Sequence, residues 1–173
     1  MVPFTRFVEE NFPRLRGTAE YRRTSDWDPF YNCIAFAAGD DQRWWWPPLP
    51  NRVGDYWPSG APAEETVAAF VAAFATRGYV TCADGAFELG IEKVAVYARK
   101  GGPTHAARQN PVTGEWMSKL GRGYDISHSS ADLLGGSDYG EVEVYLQRES
   151  IELRTLRLIA QMWSGADPNW GDQ

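Results

Sequence analysis

Cys33 stands at the head of a short run of small apolar residues, Tyr31-Asn32-Cys33-Ile34-Ala35-Phe36-Ala37-Ala38-Gly39. The segment before it, Ser25-Asp26-Trp27-Asp28-Pro29-Phe30, is rich in turn and cap formers, which predicts a helix beginning at or just after Asn32. Cys33 then falls in a helical first turn, where unpaired backbone N–H groups and the positive end of the helix dipole favour a thiolate and can hold an oxyanion. Asn32 reads as the N-cap, or as a residue framing that oxyanion pocket. A thiol attacks a carbonyl as thiolate, and a nearby imidazole removes its proton and later returns it to the leaving group. Only two histidines are available. His105 is the stronger candidate: it follows the turn Gly101-Gly102-Pro103 at the start of a predicted strand, where its ring can face a cleft while the sheet fixes its backbone. His128 reads more simply as a hydrogen-bonded structural histidine. The plain alternative for Cys33 is a small buried hydrophobe.

A chain of 173 residues with 43% hydrophobic content supports one good core, so residues 1–173 read as a single domain. Within it, 1–24 form an N-terminal helix and lead-in, 25–148 the core, 149–163 a terminal helix and 164–173 a small acidic tail. The net charge is −6 and no block of lysine or arginine occurs, which argues against nucleic acid or an anionic membrane as partner and favours neutral or cationic substrates. Cys33 and Cys82 lack metal-ligand spacing and the histidines are scattered, so neither a metal nor a cofactor is expected. With no apolar leader and no apolar run of about 18 residues, the expected compartment is the cytoplasm, or export without a cleavable signal for an effector.

Phe4, Phe7, Val8 and Phe12 recur at helical spacing and predict a short helix ending near Pro13. Gly17–Asp28 reads as an extended or irregular lead-in. From Asp40 to Gly60, prolines and tryptophans alternate in a loop whose indoles either pack over the core or, through Trp45, Trp46 and Trp57, wall a substrate groove. The run from Ala61-Pro62-Ala63-Glu64-Glu65-Thr66 to Arg77-Gly78 predicts the clearest helix, with Val67, Phe70, Val71 and Phe74 on its buried face. After it the period changes to two, predicting antiparallel strands at Tyr79–Cys82, Glu92–Arg99, Thr104–Gln109, Glu115–Leu120 and Tyr139–Leu146, with a short helix at Ser130–Leu134. Leucines and isoleucines in Glu149–Trp163 predict the terminal helix.

The order of elements, Cys33 at a helix start and then a hairpin carrying His105, resembles the papain-like cysteine hydrolases of the NlpC/P60 and CHAP branch. The resemblance implies an α+β fold in which the nucleophile helix packs on a small antiparallel sheet. In it, Tyr31-Asn32-Cys33-Ile34-Ala35 matches the nucleophile helix, Thr104-His105-Ala106-Ala107-Arg108 the histidine strand and Gly114-Glu115-Trp116-Met117-Ser118 the return strand. This places Ser118 in the third catalytic position, with Asp125 and Gln109 as substitutes. The expected activity is hydrolysis or acyl transfer at an amide bond of a peptide, isopeptide or glutamine side chain, with the Cys33 N–H and a neighbouring donor holding the oxyanion. Two rival readings are a protein-interaction module that docks a partner through the tryptophan loop, and an effector toxin that uses the same cysteine and histidine.

Overall fold

The computed structural model describes residues 4–48 and 54–164. The helix expected at the N-terminus is α1 (Phe4–Asn11), followed by a 3₁₀ turn at Pro13–Leu15. Cys33–Ala37 is α2, Val67–Ala75 is α3 and Ile151–Ser164 is α4. The strands are β1 (Tyr21–Arg23), β2 (Val80–Cys82), β3 (Ile91–Arg99), β4 (Gly102–Gln109), β5 (Trp116–Lys119), β6 (Asp125–His128) and β7 (Glu141–Glu149), with a second 3₁₀ turn at Ala131–Leu134. They form one antiparallel sheet of seven strands in the order β1-β6-β5-β4-β3-β7-β2, so the α+β architecture is as expected.

Because side chains alternate across a pleated sheet, β3 and β4 feed two cores. Val94, Val96, Ala106 and Leu146 pack with Cys33, Ile34, Phe70 and Phe74 of α2 and α3. Ala95, Tyr97, Ala107, Trp116 and Ile126 pack on the other side with Val8, Phe12 and Leu15. The chain thus sandwiches the sheet between a cysteine-bearing layer and an N-terminal layer.

One helix starts later than expected, and two strands, β1 and β6, fall where no strand was specified. The third helix begins at Val67, not in the Pro62–Glu65 segment, because Thr66 caps it: its hydroxyl accepts the Ala69 N–H at 3.2 Å. Glu65 instead accepts the Trp46 indole N–H at 2.6 Å and ties down the tryptophan loop. Tyr21–Arg23, in the segment read as extended or irregular, is an edge strand, with Tyr21 opposite His128. β6 is buried at all four positions although two of them are Asp125 and His128. The acidic tail lies outside the described residues.

Candidate functional site

Asn32 builds the start of α2. Its side-chain oxygen accepts the Ala35 N–H at 3.0 Å and the Trp45 N–H at 3.2 Å, while its amide donates to the Trp45 carbonyl at 2.7 Å. Its side chain is thereby engaged in capping and in clamping the tryptophan loop. Gly39, at φ +77, closes the helix in a left-handed conformation that a residue with a Cβ rarely adopts. The N-cap fixes Cys33 in the first turn, buried between α2 and the sheet.

The sulfur lies against backbone N–H groups of Ala106, Ile34 and Cys33 itself, which favour the thiolate, but burial outweighs them and pushes the thiol up to about 11. Ala106 is the residue after His105, so the sulfur of Cys33 on α2 lies against the β4 amide next to the histidine, not against its ring. The ring of His105 stands on the other side of the pleat from Ala106, stacked on Tyr139 with centroids 4.0 Å apart and edge-on to Tyr97 at 5.1 Å. No hydrogen bond joins the sulfur to the ring: His105 Nδ1 is buried without a partner. Burial, and secondarily His128, hold the His105 pKa well below its ordinary value.

The other ring nitrogen is occupied. His105 Nε2 is 3.1 Å from Ser118 Oγ, which is 2.9 Å from His128 Nε2, and His128 Nδ1 is 2.8 Å from the Ser130 carbonyl. Of the three residues considered for the third position, Ser118 is the one that meets His105. Gln109 donates to the Gly85 carbonyl at 3.1 Å. Asp125 accepts the Tyr31 hydroxyl at 2.6 Å and pairs with Lys119 at 3.5 Å. Lys119 also donates to the Gly123 carbonyl and lies over the Tyr31 ring. Asp125 therefore anchors the segment leading into Cys33 and does not orient the imidazole.

Of the three tryptophans expected at a substrate wall, Trp46 and Trp57 are half-buried and Trp45 is withdrawn from solvent. Trp45 is fully buried with its indole N–H on Asp40 at 3.0 Å, so it is core and cannot touch a substrate in this conformation. Trp46 and Trp57 pack edgewise or tilted on Phe70 of α3 at 5.2 and 5.0 Å, and Trp57 donates to the Pro62 carbonyl. An open groove that reaches Tyr139 lies elsewhere: about 240 Å³, lined by Phe7, Phe12, Trp27, Leu120, Arg122 and Tyr139 among others. Trp27, 59% exposed, is the tryptophan that faces solvent at this groove. Tyr139 is a residue that sequence reasoning passed over, having carried no signal beyond opening a strand; His128, read as a hydrogen-bonded structural histidine, bonds to Ser118 and to the Ser130 carbonyl.

No group of three or more metal-ligating side chains suited to an ion occurs among the described residues. A family model described as a domain of unknown function, DUF7689, matches residues 22–147. The chain belongs to the DUF7689 family. The DUF7689 span runs from within β1 to within β7 and so contains Cys33, His105, Ser118 and His128, but not α1 or α4. No curated protein and no solved structure matches this DUF7689 chain.

Proposed function

We propose that the protein is a cysteine-dependent hydrolase or acyl transferase acting at amide or peptide bonds, with a papain-like division of labour between Cys33 and His105. The observation that carries this reading is the buried, unpartnered Nδ1 of His105, on the strand whose next amide lies against the Cys33 sulfur. A buried polar atom without a partner costs stability, and catalysis is one of the few reasons to keep one. Hydrogen bonds between catalytic groups are often open in the free protein and close with substrate.

Cys33 Sγ attacks the substrate carbonyl carbon as its proton passes to His105 Nδ1, and the Cys33 backbone N–H with a neighbouring donor stabilises the oxyanion. His105 then gives that proton to the departing nitrogen, which leaves as amine. Water, deprotonated by His105, or an acceptor amine cleaves the thioester and restores the thiol. The groove beside Tyr139, apolar on Phe7, Phe12 and Trp27, suits the side chains of a peptide or protein substrate. Both cysteines are free, which supports, as part of this proposal, action in a reducing compartment such as the cytoplasm.

The test is labelling of the full chain at neutral pH by a peptide carrying a thiol-directed electrophile, read by intact mass and site mapping. Wild type is expected to be modified at Cys33, and His105→Ala to slow that reaction by about 100-fold or more while circular dichroism is unchanged. Equal rates in wild type and His105→Ala, or modification confined to Cys82, would remove the mechanism.

A further inference from the structure

We infer that His128, acting through the hydroxyl of Ser118, fixes the tautomer of His105 so that its Nδ1 lone pair is left free toward the reaction. The role as a positioning residue rests on the function proposed above; the tautomer assignment stands on the hydrogen-bond geometry together with the neutrality of the buried His128 ring. The argument starts at the far end of the relay, where a carbonyl oxygen can only accept. His128 Nδ1, 2.8 Å from the Ser130 carbonyl, must therefore carry a hydrogen. A neutral imidazole has one N–H, so His128 Nε2 is bare and accepts from Ser118 Oγ at 2.9 Å. That uses the single hydroxyl hydrogen. Ser118 Oγ then meets His105 Nε2, 3.1 Å away, with lone pairs only, so this nitrogen carries the hydrogen of His105. Nδ1 is left bare, and it is the atom with no partner.

The opposite assignment sets the His128 Nδ1 lone pair against the Ser130 carbonyl, two acceptors facing each other inside the protein. His105, Ser118 and His128 are all buried, at 0%, 0% and 2% exposure, so water does not stand in for a missing donor. Burial also lowers the His128 pKa to about 4, which keeps its ring neutral at physiological pH. Tyr139 completes the positioning from the side: its ring stacks on His105, and its carbonyl accepts the Thr104 hydroxyl at 2.5 Å.

The full chain labelled with ¹⁵N-histidine, examined at pH 7.5 by long-range imidazole ¹H–¹⁵N correlation, tests this directly. The expected spectrum shows His105 protonated on Nε2 with bare Nδ1, and His128 protonated on Nδ1, the form that a free imidazole populates less. His105 protonated on Nδ1, or His128 on Nε2, overturns the assignment. In His128→Phe the Ser118 hydroxyl loses its acceptor and can donate to His105, so a population of His105 with Nδ1–H appears and labelling of Cys33 by the electrophilic peptide slows by about tenfold or more. An unchanged tautomer or an unchanged labelling rate in that folded variant overturns the positioning role. If that variant does not fold, Ser118→Thr and Ser118→Ala replace it: threonine keeps the wild-type tautomer, alanine yields a mixture, and no difference between them overturns the role. Expected tautomers together with equal Cys33 labelling rates in wild type and His105→Ala would sink the hydrolase reading and leave the relay standing.

Discussion

A thiol held at about 11 is a weak nucleophile until something removes its proton, and this governs Cys33 more than its place at a helix start. The raised value belongs to an acid, so the thiolate fraction grows tenfold with each pH unit up to about 11 and is about one part in ten thousand at pH 7. Iodoacetamide, too small to fill the groove, should accordingly modify the less buried Cys82 first at neutral pH and reach Cys33 at a rate that climbs steeply through pH 9 and 10. A Cys33 rate that levels off near pH 8 would contradict a desolvated thiol. The contrast with fast labelling by a peptide electrophile is the signature expected of a site that is assembled by its substrate. The position of Cys33 at the helix start was legible from Asn32 and the small residues behind it. Its burial was not, because burial is set by Ala106 and the β4 strand, more than seventy residues away in the chain.

At the scale of elements, strands with an apolar alternation, β3 and β7, and the cap-and-glycine limits of α2 could be read directly. β1 and β6 could not: Tyr21–Arg23 is short and polar, and β6 buries Asp125, received by Tyr31 and Lys119, and His128, received by Ser118 and the Ser130 carbonyl. Asp125 shows the dependence most clearly. It takes the Tyr31 hydroxyl from the segment leading into α2 and the Lys119 ammonium from β5, and both partners are buried. Removing one member of a buried ion pair strands the other charge, at about 3 to 5 kcal/mol. Asp125→Ala is therefore expected to lower the urea midpoint by that amount of stability without changing the slope, and Lys119→Met added to it should restore much of the loss, since the stranded ammonium is gone. A double variant no more stable than the single one would show that the pair is not what holds β5, β6 and the approach to Cys33 together.

For the whole molecule, the relay ties the candidate site to folding. His128 is held at about 4 in the folded protein against about 6.5 in the open chain, so between those values the unfolded chain binds a proton that the folded one refuses. Stability therefore falls as pH drops from about 6.5 to about 4, by roughly 1.4 kcal/mol per unit, or about 3 kcal/mol from this residue. His105, shifted in the same direction by the same burial, adds to the loss. Against a total of about 5 to 15 kcal/mol for a domain of this kind, that is a large share. Carboxylates also titrate in this interval, so the measurement that isolates the imidazole compares wild type with His128→Asn, whose amide can donate to the Ser130 carbonyl but does not titrate. Urea unfolding at several pH values should show wild type losing about 3 kcal/mol more than the variant between pH 6.5 and 4. Parallel curves would mean that His128 is protonated in the native state, and a cationic His128 donates at both nitrogens, reverses the Ser118 hydroxyl and places the hydrogen of His105 on the atom that must be free to take a proton from Cys33.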